Sequence, residues 1–327
     1  MKAVTGASGF FGRALERALA PQGRLRGLFR AESELSRHWE TSGHEVVFGD
    51  LDDRAALDAL VAGADTVFHL AARMAKDDPE ASHRVNVLGT EHVARAARAA
   101  GVRRFVHVSS ISVYAATPHD GEITEAVVPQ CVDRLNPYSA TKYRSELALR
   151  ALASNDEAPP FTIIRPTNVY GPWSRPWFLD WARRVQRVPF AIGGDIAIDV
   201  VHVEDVVTAL ADAAASSSAE GEVLHLGHET VLLGDFAVCI GRAVGREVKK
   251  LPSSIDYLIR ALLEAAYPIV KGGRRSMSLL RPVRYPHDKA QHLIGYAPQI
   301  RLADSVESLG RWYRDEYLPK SAEAERA

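Results

Sequence analysis

The chain is 327 residues long with a formal net charge of -1, enough for a large core and about two domains but without the basic footprint of a nucleic-acid or anionic-membrane binder. Two cysteines, Cys131 and Cys239, form neither a disulfide framework nor a metal cluster, so no metal site is expected and both thiols read as free in a reducing cytoplasm. No leader segment is expected ahead of the glycine-rich turn at Gly6, and no uncharged apolar run reaches the ~20 residues of a membrane span.

From the N-terminus, residues 2–4 predict a short strand, 12–20 a helix, and 25–29 and 45–48 two further strands. Helical spacing over 53–61 puts Ala56, Leu57, Leu60 and Val61 on one face, and 66–70 reads as a fourth strand. A helix over 86–100 ends at Gly101, a glycine placed for a left-handed C-cap. A strand at 105–108, a helix at 137–153 and a strand at 161–164 follow. Strands alternating with helices predict an α/β fold, a doubly wound parallel Rossmann sheet covered on both faces. After Pro166 the pattern loosens: strands at 199–203 and 223–226 flank a helix at 205–215, and the remainder is mostly helical. The expected organisation is a dinucleotide-binding domain over 1–170, with 197–228 returning to it. A smaller, discontinuous, partly interleaved substrate lobe covers 171–327. Residues 255–270 carry Asp256, Arg260 and Glu264 and read as an amphipathic helix packed on the core, with membrane-surface contact as the alternative.

The first motif is Gly6-Ala7-Ser8-Gly9-Phe10-Phe11-Gly12, between the first strand and the first helix. Such a turn presents backbone N–H groups at a helix N-terminus, where the dipole favours a pyrophosphate. Gly6 permits the turn, Gly9 lets the backbone approach the phosphates, and Gly12 lets helix and strand pack closely. Gly6, Ser8, Gly9, Phe10, Phe11 and Gly12 are therefore candidate cofactor contacts. Eighteen residues after Gly12, at the end of the second strand, stands Arg30, where an acid would hydrogen-bond a ribose 2′-OH. An arginine there suits a 2′-phosphate and favours NADP(H) over NAD(H); a solvated arginine stacked on the adenine admits either.

The second motif is Tyr138-Ser139-Ala140-Thr141-Lys142, with Pro137 at the helix start. Tyr138 and Lys142 are i and i+4 and share a helix face. A free tyrosine titrates near ~10, and a neighbouring ammonium is expected to lower that value so that Tyr138 can exchange a proton with an alcohol or carbonyl. Upstream, Val108-Ser109-Ser110-Ile111-Ser112-Val113-Tyr114 closes the fifth strand.

Together these motifs resemble the extended short-chain dehydrogenase/reductase family, often labelled NAD-dependent epimerase/dehydratase, through the Gly-x-x-Gly-x-x-Gly spacing and the Tyr-x-x-x-Lys pair. The resemblance runs along nearly the whole chain, including Val201-His202-Val203-Glu204-Asp205-Val206 and Leu293-Ile294-Gly295-Tyr296-Ala297-Pro298. It implies that Ser110, four residues before Tyr114, orients the substrate oxygen, with Ser109 and Ser112 as fallbacks. It implies that Lys142 also hydrogen-bonds the nicotinamide ribose. It places Asp50 and Leu51 beside the adenine, and Leu70, Ala71 and Ala72 along the ribose and phosphates. Asn86 either supports the active-site geometry or caps its helix. Arg165-Pro166-Thr167-Asn168-Val169-Tyr170-Gly171-Pro172 resembles the stretch that passes the nicotinamide amide, which makes Ser109, Tyr138, Lys142, Pro166, Thr167 and Val169 cofactor candidates.

The substrate side departs from the family's sugar-nucleotide enzymes. Ile198 occupies the place of an arginine that grips a diphosphate, and Arg281 or Arg284 replaces the second such arginine only by a shifted alignment. Each lost charge-assisted hydrogen bond is worth ~1.5–3 kcal/mol. Ser112, Asn168, Trp173 and Trp177 are the candidate substrate contacts. The aromatic group Trp173, Trp177, Phe178 and Trp181 either joins the two lobes or walls a site for an apolar carbonyl. The texture is similar to the 3β-hydroxysteroid dehydrogenase and ketoreductase branches. The expectation is an NAD(P)(H)-dependent oxidoreductase acting on a small-molecule secondary alcohol or ketone. The alternatives are a nucleotide-sugar epimerase or dehydratase that recycles its hydride, and a cofactor-binding redox sensor. A homodimer is the family habit.

Overall fold

The computed structural model describes residues 1–74, 78–118, 121–259, 261–262 and 283–324. Its centre is a seven-stranded sheet built from β1 (Lys2–Thr5), β2 (Leu25–Phe29), β3 (Glu45–Phe48), β4 (Thr66–His69) and β5 (Arg104–Val108), with two later strands added at one edge. A two-residue strand, β6 (Gly121–Glu122), lies apart, and β7 (Phe161–Pro166) returns to the sheet. Counting Val223–Leu226 as β11, the order is β11-β7-β5-β4-β1-β2-β3, and every pairing is parallel. The chain starts in the middle and winds first one way, then the other. The reversal point between β1 and β4 opens a crevice at their carboxyl ends, where ligands bind in such sheets.

Both faces are covered, as a parallel sheet of near-continuous Val, Ile and Phe requires. On one face α1 (Phe10–Leu19) buries Ala14, Leu15 and Leu19 against Val4, Phe68 and Val106. α2 (Glu34–Thr41), capped by Ser33, places its Trp39 in that same layer. On the other face α3 (Arg54–Val61) contributes Leu57 and Leu60, with Asp53 capping its first turn by accepting from Ala56 N–H at 3.0 Å.

The helix expected over 86–100 begins earlier. α4 (Pro79–His83) is capped by Asp78, passes through a π-helical turn (Arg84–Leu88) and continues as α5 (Gly89–Ala99). Pro79 at the first turn and the Asp78 carboxylate explain the earlier start. Asn86 is therefore inside a helix and is not its N-cap. α6 (Pro137–Ser154) is capped by Asn136 and packs on the same face as α5.

Beyond β7, β8 (Asn168–Tyr170) leaves the main sheet. α7 (Asp180–Arg187) and a two-residue strand β9 (Phe190–Ala191) follow. β10 (Ala197–His202) pairs with β8 and with β12 (Glu229–Leu232) in a separate three-stranded sheet. α8 (Val203–Ala215) instead lies against α1, with Val203, Val206 and Leu210 in the main core, and β11 completes the main sheet. A second core gathers around Tyr170, Phe178, Phe236, Ile240 and Trp312, where α9 (Leu233–Ala243) packs on the helix Leu302–Trp312. The amphipathic helix predicted over 255–270 is described only over 255–259 and 261–262; the rest of that stretch lies outside the described residues. Among the described residues no helix is long and apolar enough to cross a membrane, and no group of His, Cys, Asp or Glu is placed to hold a metal ion.

Candidate active site

The glycine turn sits at the sheet's reversal point. Gly6 has φ +69°, a left-handed conformation that a side chain strains, and a Cβ there would lie 2.7 Å from the Ala71 backbone nitrogen. The turn is thus pressed against the end of β4, which brings Leu70 and Ala71 beside it. At Gly12 a Cβ would lie 2.4 Å from the carbonyl oxygens of Gly6 and Ala7, so helix and turn touch backbone to backbone. Gly9 is the N-cap of α1 and supplies no side chain to the first-turn N–H groups. Those donors remain for an anion, and a Cβ at Gly9 would meet only the Gly6 carbonyl oxygen.

Arg30, the residue after β2, is exposed and makes no hydrogen bond or ion pair among the described residues. Leu51 packs on Gly89, where a Cβ would come within 2.6 Å of its Cδ1. Asp50 is exposed and accepts from Asp52 N–H at 2.8 Å, shaping the turn after β3. Thr167 Oγ1 is buried without a partner among the described residues, beside Pro166 at the end of β7. Uncapped amides, a cradle that admits no side chain and an orphaned hydroxyl together suit a nucleotide cofactor.

The catalytic candidates converge from β5 and α6. Ser110 follows β5, caps a short 3-10 turn (Ile111–Tyr114) and hydrogen-bonds Tyr138, which is partly exposed near the start of α6. Burial pushes the Tyr138 phenol up to about 12, and the Ser110 hydroxyl partly opposes this. The expected lowering by Lys142 is not found: desolvation dominates the tyrosine. Burial instead brings Lys142 down to about 8, with the Glu146 carboxylate pulling it back up. Lys142 is 2% exposed. Beneath it lie two neutral histidines, stacked 5.4 Å apart. Burial holds His69 down at about 3 and His107 well below its ordinary value, and the Lys142 charge adds to both shifts. His69 bridges Thr5 and Thr90, and His107 meets Ser145 Oγ at 3.0 Å.

Asn86 acts by tethering. Its Oδ1 accepts from Arg73 N–H at 2.7 Å, and its Nδ2 donates to Arg73 O at 3.0 Å and to Thr141 Oγ1 at 2.9 Å. It thereby ties the strand exit after Ala72 to the residue before Lys142. The Ser109 hydroxyl is 2% exposed overall and donates to Glu146, so its side chain faces the core. Ser112 Oγ is buried without a partner among the described residues.

Among the candidate substrate contacts, Asn168 donates to Asp199 O at 2.8 Å, and Ile198 lies in the second apolar core. Arg284 is exposed and faces Glu122, and Arg281 lies outside the described residues. Trp173, at φ +67°, has the Arg13 guanidinium 4.3 Å above its ring and Trp312 edge-on at 5.3 Å. Trp177 and Trp181 both meet Phe236, at 5.7 and 5.6 Å. Sequence reasoning missed the buried Glu146–Arg165 pair on α6 and β7. Its signal was present: Glu146 continues the i, i+4 ladder from Tyr138 through Lys142.

The model of the NAD dependent epimerase/dehydratase family matches residues 3–227. A 2-alkyl-3-oxoalkanoate reductase of Stenotrophomonas maltophilia is 29% identical over 94% of this chain and 97% of its own. A 4-hydroxy-2-methyl-3-oxo-4-farnesyl-3,4-dihydroquinoline-1-oxide ketoreductase of Stigmatella aurantiaca is 32% identical over 94% of each chain. Among solved structures, MoeE5 in complex with UDP-glucuronic acid and NAD superposes with a TM-score of 0.75 at 27% identity, covering 96% of this chain and 98% of that one. The chain therefore belongs to the NAD dependent epimerase/dehydratase family, as an extended short-chain dehydrogenase/reductase whose enzyme chemistry is that of nicotinamide-dependent oxidoreductases and epimerases.

Proposed function

We propose that the protein is an NADPH-dependent reductase of a lipophilic ketone, with a 3-oxo compound as the substrate class. The observation that carries the reading is Ile198, buried in an apolar cluster at the position where the family's sugar-nucleotide enzymes carry a diphosphate-gripping arginine. Losing that bidentate contact removes ~1.5–3 kcal/mol per hydrogen bond from a diphosphate and leaves an apolar wall. Two relatives that match 94% of the chain carry names of a 3-oxoalkanoate reductase and a 3-oxo ketoreductase, in keeping with this. Arg30, exposed and unpaired among the described residues, supports the choice of the 2′-phosphorylated cofactor.

A nicotinamide held at the glycine turn would supply a hydride. The chain's residues hold the ketone and handle the proton. The Ser110 hydroxyl fixes the substrate oxygen beside Tyr138. Tyr138, a neutral phenol throughout the physiological range, gives its proton to that oxygen as charge develops on it. The Lys142 ammonium stabilises the tyrosinate left behind, in a low-dielectric site where the interaction is strong. Asn86 keeps Thr141, and with it the Lys142 turn, in register with the end of β4.

Absorbance at 340 nm tests this directly. NADPH should be consumed with a 2-alkyl-3-oxo acid or ester, faster than NADH and without response to UDP-glucose. Epimerisation of UDP-glucose with no net change at 340 nm would replace the reductase reading with that of a sugar-nucleotide epimerase.

A further inference from the structure

Below Lys142 lies an ion pair that the proton transfer above does not use. Glu146 stands one turn further along α6 and Arg165 on β7, with side chains 1% and 5% exposed. The guanidinium grips the carboxylate as a fork: Nε donates to Oε1 at 2.9 Å, and a terminal nitrogen donates to Oε2. The other terminal nitrogen donates to the Tyr114 hydroxyl, which also meets His225 Nε2 at 3.1 Å. Well-packed apolar side chains replace such a pair at little or no loss of stability. Scaffolding alone therefore gives no reason for charges here.

Placement gives two reasons. Ser109 donates its hydroxyl to the Glu146 carboxylate, while its backbone N–H donates to Ile164 O at 2.7 Å. The residue before Ser110 is thus pinned at once to β7 and to the helix carrying Tyr138 and Lys142. Glu146 is also the carboxylate whose field reaches Lys142. The other titratable groups around Lys142 are Tyr138 on its own helix, His69 on β4 and His107 on β5, with Arg165 on β7 behind Glu146. None of them supplies a negative charge.

We propose that Glu146, locked by Arg165, is a positioning residue that holds the Ser110 strand end on the catalytic helix and sets a negative charge beneath the Lys142 ammonium. This rests on the assignment of Tyr138 and Lys142 as the proton-handling pair. Lysine ε-carbon NMR on the full chain, with Lys142→Met to assign the signal, reads the Lys142 midpoint without any substrate. Glu146→Gln should move that midpoint down by about half a pH unit or more, and Arg165→Gln should move it up, because Glu146 is then less neutralised. Loosened packing alone would move both the same way. Ser109→Ala should leave the midpoint in place but lower kcat about tenfold at unchanged NADPH affinity. Should Glu146→Gln fail to fold, Glu146→Asp reports instead, with a smaller downward shift from the retracted carboxylate. Midpoints that stay put, or that move together, overturn the inference, as does wild-type kcat in Ser109→Ala. Wild-type protein that turns over no ketone would sink the reductase reading and leave the NMR result standing; unmoved midpoints in an active enzyme would sink this inference alone.

Discussion

The two sides of the crevice are built on different physics. On the side of the glycine turn, position is set by close backbone contact and buried polar groups: Gly6 against Ala71, Gly12 against the Gly6 and Ala7 carbonyls, and Asn86 bridging Arg73 and Thr141. On the side of the smaller, three-stranded sheet, position is set by aromatic and aliphatic packing around Phe178, Phe236 and Trp312. Backbone contacts and buried hydrogen bonds tolerate almost no change, because an added Cβ or a lost partner has nowhere to go. Apolar packing tolerates substitution that keeps volume.

The largest effect should come from the rigid side. Tyr138→Phe removes the proton donor and should lower turnover by about three orders of magnitude while NADPH affinity, measured by fluorescence titration, stays within about threefold. Survival of turnover within a factor of two would break the assignment. Gly12→Ala drives a Cβ to 2.4 Å from two carbonyl oxygens and should destabilise the fold by about 3 kcal/mol in a urea titration. A well-folded variant with normal cofactor affinity would show that the turn is looser than described. Arg30→Ala should weaken NADPH by ~1.5–3 kcal/mol and leave NADH almost unchanged; equal affinities in wild type would remove the cofactor preference.

The smallest effect is a shape in the pH profile. Burial places Lys142 at about 8, below the ordinary lysine value of 10.5, and Tyr138 at about 12. Ketone reduction should fall as pH rises through about 8, where Lys142 loses its proton while Tyr138 keeps its own. The same depression carries a stability sign. Between about 8 and 10.5 the unfolded chain holds the lysine proton and the folded chain does not, so this group's contribution to stability rises with pH across that window. A reduction rate flat to pH 10 would contradict the first statement.

The contrast between the two sides also governs what the sequence could reveal. Strands β2, β3 and β11 are legible to the residue, because short apolar runs bounded by turns leave one reading. The glycine turn and the Tyr138–Lys142 pair are legible because each depends on local spacing. Asn86 was readable as either a cap or a support, and the choice turned on Asp78, eight residues upstream, which starts the helix earlier. The titration of Tyr138 was misjudged because burial is a tertiary property: desolvation outweighs the lysine one turn away. The surroundings of Trp173 were the least legible. Arg13 comes from α1 and Trp312 from a helix near the C-terminus, and no local pattern links them.

The central claim is net hydride transfer to a ketone at the Tyr138–Lys142 site. It is tested most directly with NADPH deuterated at both positions of nicotinamide C4, a 2-alkyl-3-oxo ester, and mass spectrometry of the product. The expected result is one deuterium on the carbinol carbon with wild type and about a thousandfold less labelled product in the same time with Tyr138→Phe. An unlabelled alcohol, or label that leaves the cofactor and returns to it without net product, would contradict the account.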